Sequence, residues 1–287
     1  MTMSKRDVVN DDDLDDDASW DLQSQSGEDQ RFDSWNIVKD EYVNGYGGGG
    51  SLDFMILGTC TDDTSASPHV LSPPMMESLA AFLPHSQSSQ NFFLRYSLVR
   101  DGASMLTFLK RSRGVQYGIL ALETVDGEVF GCFTGQPWRK SPNYFGTGES
   151  FLWKMRRSRL EATNDILEQA QLESEIDMYP HTGDNQYYQL CTHDRIAMGG
   201  GTPSGDKKTA DPPIDPHEWG FGLAIQDDLL VGSSSPCATF DSPSLSKVHA
   251  DGSLFEIVNL ELWALTPCTT VQEAELLELG KLFLERQ

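Results

Sequence analysis

Cys237 and Glu261 are the two residues whose types and surroundings in this sequence could support chemistry. Cys237 follows Ser-Ser-Pro, and a thiol there would be reactive only if nearby cations or a helix start lowered its pKa. Glu261 lies inside the apolar run FEIVNLELWAL, so its carboxylate should be buried and should need partners or a proton. The sequence shows neither feature beside Cys237, which favours a structural cysteine. No nucleophile or metal accompanies Glu261, which favours a hydrogen-bonded structural glutamate.

Two other short motifs approach catalytic or phosphate-binding signatures, and each lacks a required residue. The run GES at 148–150 starts like the G-x-S-x-G elbow of hydrolases, but Leu152 stands where the last glycine is needed. Segment 200–209 has nearly the spacing of a phosphate-binding loop, but Asp206 takes the place of the lysine and would repel phosphate. Neither motif therefore predicts an enzyme.

Metal binding is also disfavoured by spacing. The acidic run 11–17 would need glycine at its sixth loop position and glutamate at its twelfth, and it has Asp16 and Leu22. Cys191 and His193 are close together, but no second close pair completes a four-ligand set. We therefore expect no metal, no cofactor and no catalytic residue. The other histidines considered as zinc ligands are His181 and His217.

The charge of the chain limits its partners. The 287 residues carry a net charge of −23, which argues against nucleic acid or an anionic membrane surface. Five cysteines without a CxxC pair suggest reduced thiols. No apolar run approaches the length of a membrane span, and the first residues lack the pattern of a secretory signal. We expect a cytoplasmic protein, with the nucleus as an alternative.

The composition predicts two parts. Residues 1–50 form an acidic, largely disordered tail that ends in the glycine-rich joint GYGGGGS at 45–51, because so few apolar residues cannot offset the entropy of ordering. Residues 51–287 form the folded domain. Within it, the segment 156–176 is predicted to be an outer insertion and the segment 202–218 a long surface loop.

A buried hairpin organises the domain. The apolar runs 221–225 and 229–231 flank the polar break Gln226-Asp227-Asp228, so the second run should fold back antiparallel onto the first. Asp126-Gly127 predicts another hairpin, between strands at 115–123 and 128–134. The remaining strands are predicted at 52–57, 92–99, 149–155, 187–191, 195–198 and 255–265, the last in the middle of a sheet because both of its faces are mostly apolar.

Alternation along 255–265 places Phe255, Ile257, Asn259, Glu261 and Trp263 on one face of that strand. Three helices are predicted around the sheet. The first begins at Ser72, whose side chain is expected to cap free N–H groups ahead of Pro73, and the second is a short helix over 103–110.

The third helix spans 270–285. Thr270 and Glu273 have the spacing of a capping box. Leu276, Leu279 and Phe283 form an apolar stripe, which is a candidate partner surface because amphipathic helices fit grooves. Packing of this stripe on its own domain is the alternative.

One basic cluster interrupts the acidic chain. It could bind an acidic partner or the protein's own tail, but a solvated face is the favoured interpretation. Its members are Lys154, Arg156, Arg157 and Arg159.

Four motifs in order resemble the TLDc domain of the oxidation-resistance proteins: GESFLW at 148–153, YYQLCTHDRIAMGGG at 187–201, GFGLAIQDDLLVGSSSPCATF at 220–240 and FEIVNLELWAL at 255–265. The resemblance covers about 71–267, and the long insertion and loop are similar to those of plant and algal members. It implies an α+β fold with a central antiparallel β-sandwich and helices packed outside. It also implies a role in oxidative-stress resistance and binding to the peripheral part of the vacuolar-type proton ATPase.

The resemblance carries no accepted catalytic residues, so the matching positions are interpreted as determinants of sheet and turn structure. Two hypotheses follow: a non-enzymatic interaction module, and a thiol- or carboxylate-dependent antioxidant enzyme that uses Cys237 or Glu261. The matching positions are Gly148, Phe151, Gly199, Gly200, Gly201, Gly232, Cys237, Phe240, Glu261 and Trp263.

Overall fold

The computed structural model describes residues 53–59, 69–161, 163, 165–201 and 220–284. Within these ranges the chain forms twelve β-strands and five α-helices, which confirms the predicted α+β class. The tail and glycine-rich joint of 1–51, the loop at 202–218 and the side chain of Phe283 lie outside the described part, so the division at residue 50 stays a prediction.

The strands are β1 (Ile56–Leu57), β2 (Asn91–Ser97), β3 (Gly118–Thr124), β4 (Val129–Thr134), β5 (Ser141–Phe145), β6 (Phe151–Met155), β7 (Ile176–Pro180), β8 (Gln189–Cys191), β9 (Arg195–Met198), β10 (Leu223–Gln226), β11 (Val231–Ser233) and β12 (Phe255–Thr266). The helices are α1 (Pro73–Ala80), α2 (Leu98–Asp101), α3 (Met105–Ser112), α4 (Ile166–Ser174) and α5 (Val271–Leu284).

Strand β12 joins two layers. One sheet runs in the order β1-β2-β12-β3-β4-β6-β7, and the other runs β5-β8-β9-β10-β11 and reaches the start of β12. All described pairings are antiparallel except that of β1 with β2. Twelve residues are long enough for β12 to pair with β11 at one end and with β2 at the other, while β3 runs along its middle. This confirms the prediction that β12 is internal.

Two apolar cores lie on opposite faces of the first sheet. The inter-sheet core joins residues such as Leu120 and Phe130 with Ile196 and Leu223 of the second sheet, which gives the sandwich. The helix-side core covers the other face, where Met76 and the rest of the buried side of α1 pack over the sheet. Because this part of the first sheet is buried on both faces, β3, β4 and β6 are buried along their whole length and consist mostly of apolar residues.

The predicted hairpins are confirmed. Strands β10 and β11 pair antiparallel through Ala224 with Ser233 and Ile225 with Gly232. Strands β3 and β4 pair across the Asp126-Gly127 turn, where Gly127 has φ +69°. A left-handed backbone at this position favours glycine.

Two edge strands are absent from the sequence-based assignment. Strand β5 contains Pro142 and Asn143, which have low strand propensity, and it lies at the outer edge of the second sheet beside β8. Strand β7 lies at the edge of the first sheet, paired with β6. The predicted insertion at 156–176 therefore consists of a short 3₁₀ turn and α4, and it leads directly into a strand.

The alternation predicted along β12 is wrong at one point. Phe255 and Ile257 belong to the inter-sheet core, whereas Trp263 belongs to the helix-side core. The register against β3 shifts between Ile257 and Asn259. A β-bulge inserts one extra residue into a strand, so the side-chain alternation changes phase beyond it.

The helix caps match the predictions only in part. Ser72 occupies the N-cap of α1 and Pro73 its first position, but the Ser72 side chain makes no capping hydrogen bond. At α5 the Glu273 N–H donates to Thr270 Oγ1 at 3.3 Å, as a capping box requires. The Glu273 carboxylate reaches back to the Thr269 N–H at 3.3 Å instead of to Thr270.

Candidate functional site

The bulge directs Glu261 toward the helix-side core, where three donors meet its carboxylate. His69 Nδ1 lies 2.9 Å from Oε1, and Trp263 Nε1 donates to Oε2 at 2.9 Å. The Leu71 N–H donates to Oε2 at 3.3 Å. Glu261 is fully buried and His69 nearly so. A carboxylate that accepts several hydrogen bonds can be retained in a low-dielectric interior.

These contacts join β12 to the segment that leads into α1. For His69 to donate, its Nδ1 must carry the proton, and the Glu261 carboxylate favours that tautomer. The named donors to Glu261 are parts of the fold, and they agree with the sequence interpretation of a glutamate that fixes loop geometry. Sequence reasoning did not find His69, because a lone histidine before a helix gives no signal of its partner.

Arg159 forms a second buried link to the same segment. Its Nη1 donates to Glu123 Oε2 at 2.8 Å and its Nη2 donates to the Val70 carbonyl at 2.5 Å. Its Nε lies 3.4 Å from Glu173 Oε1 on α4. Residues 69–71 are thus held by two polar groups, Glu261 on one side and Arg159 on the other.

Arg159 also corrects the interpretation of the basic cluster as one solvated face. Arg159 and Lys154 are buried, whereas Arg156 and Arg157 are exposed. The Lys154 ammonium donates to the Ser244 carbonyl at 3.3 Å. Burial lowers the pKa of Lys154, and the nearby Lys247 lowers it further. Sequence alone could not tell which of these four side chains are buried, because strand β6 ends at Met155, between Lys154 and Arg156.

Cys237 lies under the Gly199–Gly201 turn. It is fully buried, and burial raises the pKa of its thiol. Gly199 has φ +79°, and a side chain there would collide with Cys237 Sγ. The sulfur lies 3.8 Å from the Gly200 carbonyl. A buried, protonated thiol is a poor nucleophile, so this geometry favours the structural interpretation of Cys237 over the peroxide-reducing one.

Thr239 ties that turn together. The Gly200 N–H donates to Thr239 Oγ1 at 3.0 Å, and the same hydroxyl lies 2.9 Å from both the Gly200 carbonyl and Asn185 Oδ1. Gly201 has φ +81°. The glycine run at 199–201 is therefore a turn held by side chains, and residues 202–209 of the segment compared with a phosphate-binding loop lie outside the described residues.

Most of the remaining motif residues lie in the packed interior, whereas Gly148 is exposed. A side chain at Gly232 would meet the Phe255 ring at 2.6 Å, and one at Gly148 would lie 3.2 Å from His181 Nδ1. Phe151, Phe240 and Trp263 are all buried. The role of these positions as determinants of sheet and turn structure stays a prediction.

The candidate metal and nucleophile residues are not brought together. Cys191 is buried, and burial raises its pKa to about 11, whereas His193 is exposed. His217 lies outside the described residues. Within the described ranges there is no group of three or more His, Cys, Asp or Glu side chains suited to a metal ion. Ser150 of the hydrolase-like motif is buried just before β6.

Helix α5 presents leucines outward. Ala274 packs into the inter-sheet core, and Glu278 forms an ion pair with Arg95 at 2.7 Å. Leu276 and Leu279, on other sides of the helix, are 68% and 51% exposed. The residues that attach α5 to the domain are therefore different from the leucine stripe that the sequence singled out.

In the described part of the chain, none of the helices has the length and apolarity needed to cross a bilayer.

Comparison with known proteins gives a family match. Residues 64–266 match the TLDc domain. The chain is 28% identical over 231 residues to oxidation resistance protein 1 of Podospora anserina, covering 70% of this chain and 61% of that protein. It is 29% identical over 224 residues to oxidation resistance protein 1 of Saccharomyces cerevisiae, covering 69% and 74%. Human nuclear receptor coactivator 7 is 26% identical over 200 residues, covering 69% of this chain and 17% of that protein.

Proposed function

The chain belongs to the TLDc-domain family, and from this premise we propose that it is a non-enzymatic protein-binding domain that contributes to oxidative-stress resistance. The names of its fungal relatives, oxidation resistance protein 1, support the stress role. The relative named as a nuclear receptor coactivator supports binding to proteins. The chain spans less than two thirds of the Podospora protein, so the activity of a whole relative is carried over only as part of this proposal.

The proposed partner is the peripheral part of the vacuolar-type proton ATPase, and the proposed place of action is the cytoplasm. The basis is the family resemblance of the four motifs. The acidic composition agrees with a protein partner better than with nucleic acid or an anionic bilayer.

The outward leucines of α5 carry the binding part of the proposal. Ala274 and Glu278 attach the helix to its own domain, so Leu276 and Leu279 are available to another surface. Apolar residues on an exposed helix face are a common means of docking into a groove. The predicted third member of the stripe, Phe283, extends it by one turn in sequence.

The antioxidant-enzyme alternative finds less support. Cys237 is buried with a raised pKa, and the Glu261 carboxylate is occupied by donors from the fold. A peroxide-consumption assay that compares the wild type with Cys237→Ser tests this alternative. Equal rates at the level of buffer would remove it, and a thiol-dependent rate would overturn the non-enzymatic proposal.

Binding to the purified peripheral ATPase sector tests the proposed partner. The full chain would be immobilised and its affinity measured for the wild type, for Leu276→Ser/Leu279→Ser, and for Leu167→Ser. Leu167 is a matched control because it is an exposed leucine on a different helix, α4.

We expect the double substitution to weaken binding by at least about tenfold, since removing two apolar contacts costs more than about 1.4 kcal/mol. Leu167→Ser should bind like the wild type, and all three proteins should have the same unfolding temperature. No binding by the wild type would contradict the proposed partner, and full binding by the double variant would contradict the α5 surface.

A further inference from the structure

A second exposed apolar surface lies where β12 passes from one sheet to the other. Four side chains there are between 44% and 56% exposed, and we call them the β12 patch: Val125, Leu230, Leu254 and Val258. Scattered exposed apolar residues are ordinary, but several together on one surface indicate a binding site.

Backbone contacts place Val125 and Leu230 on opposite sides of β12, next to Glu256 and Ile257. The Val125 N–H donates to the Glu256 carbonyl at 3.1 Å, and the Ile257 N–H donates to the Leu230 carbonyl at 2.8 Å. In the chain, Leu254 precedes and Val258 follows the pair Glu256 and Ile257. Leu254, Glu256 and Val258 are alternate residues of the chain and all three are exposed, so they share the outer face.

The bulge lies at the end of this surface. It lies between Ile257 and Asn259, and Val258 is the extra residue. Up to Val258, ordinary alternation keeps Leu254, Glu256 and Val258 on the outer face. Beyond it, the alternation changes phase, so Glu261 reaches the helix-side core.

Carboxylates surround the β12 patch. Glu256 lies between Leu254 and Val258, and Asp227 and Asp228 form the exposed turn before Leu230. Asp228 Oδ1 accepts the Leu230 N–H at 2.9 Å. Asp227 and Leu254 also line a shallow depression of about 210 Å³ beside the patch.

Two nearby basic side chains of the described residues already contact carboxylates. Arg195, which lines the same depression, is bound by Asp194 at 2.7 Å. His249 Nε2 lies 3.1 Å from Asp126 Oδ2. Among the described residues, the charge around the β12 patch is therefore negative, and it complements a partner with Lys or Arg around an apolar face.

We propose that the β12 patch binds an amphipathic segment of another protein that carries Lys or Arg beside its apolar side chains. The protein-binding role rests on the proposed function, whereas the position and the charge of the partner are new. Apolar burial would supply most of the affinity, and the carboxylates would set specificity and association rate.

The test is a titration of the full chain with a fluorescent 18-residue helical peptide that has Leu on one face and Lys on the other. A peptide of the same composition, scrambled so that no apolar face forms, is its control. The apolar variant is Leu230→Ser/Val258→Ser, with Leu106→Ser as an exposed leucine elsewhere. The charge variant is Asp227→Asn/Asp228→Asn/Glu256→Gln.

A second triple variant separates site-specific attraction from net charge. It neutralises three exposed carboxylates outside the β12 patch and its surrounding carboxylates, and it matches the charge change of the first: Glu77→Gln/Glu168→Gln/Asp184→Asn.

We expect the apolar variant to bind the peptide at least about tenfold more weakly at every salt concentration. The charge variant should also bind more weakly, with a flatter dependence on salt between 50 and 300 mM, because surface attraction is screened. Leu106→Ser and the second triple variant should bind like the wild type. Equal affinity of the wild type and the apolar variant, or equal effects of the two triple variants, would overturn the proposal.

Binding to the ATPase sector separates this inference from the proposed function. If the ATPase sector and the peptide each bind the wild type and the β12-patch variants with equal affinity, the proposed role of the β12 patch is wrong while the proposed function stands. If the sector does not bind but the peptide titration behaves as expected, the patch stands and the proposed partner is wrong.

Discussion

His69 and Glu261 are 192 positions apart in the chain, and His69 Nδ1 meets Glu261 Oε1 at 2.9 Å in the buried layer between the first sheet and α1. Both side chains are at most 2% exposed. This pair, with Arg159 nearby, attaches residues 69–71 to the sheet. It explains why a charged residue can stand inside the most apolar strand of the chain.

Glu261→Ala should destabilise the protein strongly. It leaves His69, the Leu71 N–H and the Trp263 N–H without their acceptor, and breaking a buried polar pair costs about 3–5 kcal/mol. Glu261→Gln should cost less because an acceptor oxygen remains. Urea unfolding gives the free energies, and Glu256→Ala, an exposed glutamate of the same strand, should stay within about 0.5 kcal/mol of the wild type. A loss below about 1 kcal/mol for Glu261→Ala would contradict this account.

Arg159→Lys should lower the free energy of unfolding by about 2–4 kcal/mol, because one ammonium cannot replace a guanidinium that contacts Glu123, Val70 and Glu173 together. Arg157→Lys is the matched control, since Arg157 is an exposed arginine of the same segment. Thermal and urea unfolding both measure the difference. Equal stability of the two variants would show that the buried network contributes little.

Gly199→Ala should cost more than Gly183→Ala. Both glycines have positive φ, but a side chain at Gly183 meets no atom within 4 Å, whereas one at Gly199 meets Cys237 Sγ. The left-handed backbone alone costs about 1–2 kcal/mol, and the contact should add about 1–3 kcal/mol. The double variant Gly199→Ala/Cys237→Ala should cost less than the sum of its single changes. Strict additivity would contradict a direct contact.

Native-state alkylation should distinguish the cysteines. Cys268 is only partly buried, whereas Cys132, Cys191 and Cys237 are buried and burial raises their pKa values. At pH 8, peptide mapping of these four cysteines of the described ranges should show Cys268 modified first and the three buried thiols about 100-fold more slowly, because they react only on opening of the fold. Equal rates in urea provide the control. Rapid modification of Cys237 in the native protein would revive the thiol-enzyme alternative.

Lys154 should make stability depend on alkaline pH. Its folded pKa lies below the ordinary value of 10.5 because of burial and Lys247. As pH rises from the folded pKa toward the unfolded one, the unfolded state holds more protons, so the wild type becomes more stable. Lys154→Met lacks this gain, so the free-energy difference between wild type and variant should shift toward the wild type with pH. Lys140→Met, an exposed control, should show no such trend.

The local rules of the sequence determined most elements of this fold. The apolar runs and turn residues that predict β3, β4, β10 and β11 act within a few residues, so they could be recognised without a structure. The family resemblance then supplied the sandwich. Strands β5 and β7 were not predicted from the sequence, because edge strands need only one partner and tolerate residues such as Pro142 and Asn143.

Tertiary structure alone decided what the charged and polar side chains do. One extra residue at Val258 reversed the faces of β12, and a period-2 pattern read through that point cannot register the change. Glu261 contacts His69, and Arg159 contacts Glu123, although each pair is far apart in the sequence. A buried charge requires a partner, but the sequence does not specify which distant residue the folded backbone will bring within hydrogen-bonding distance.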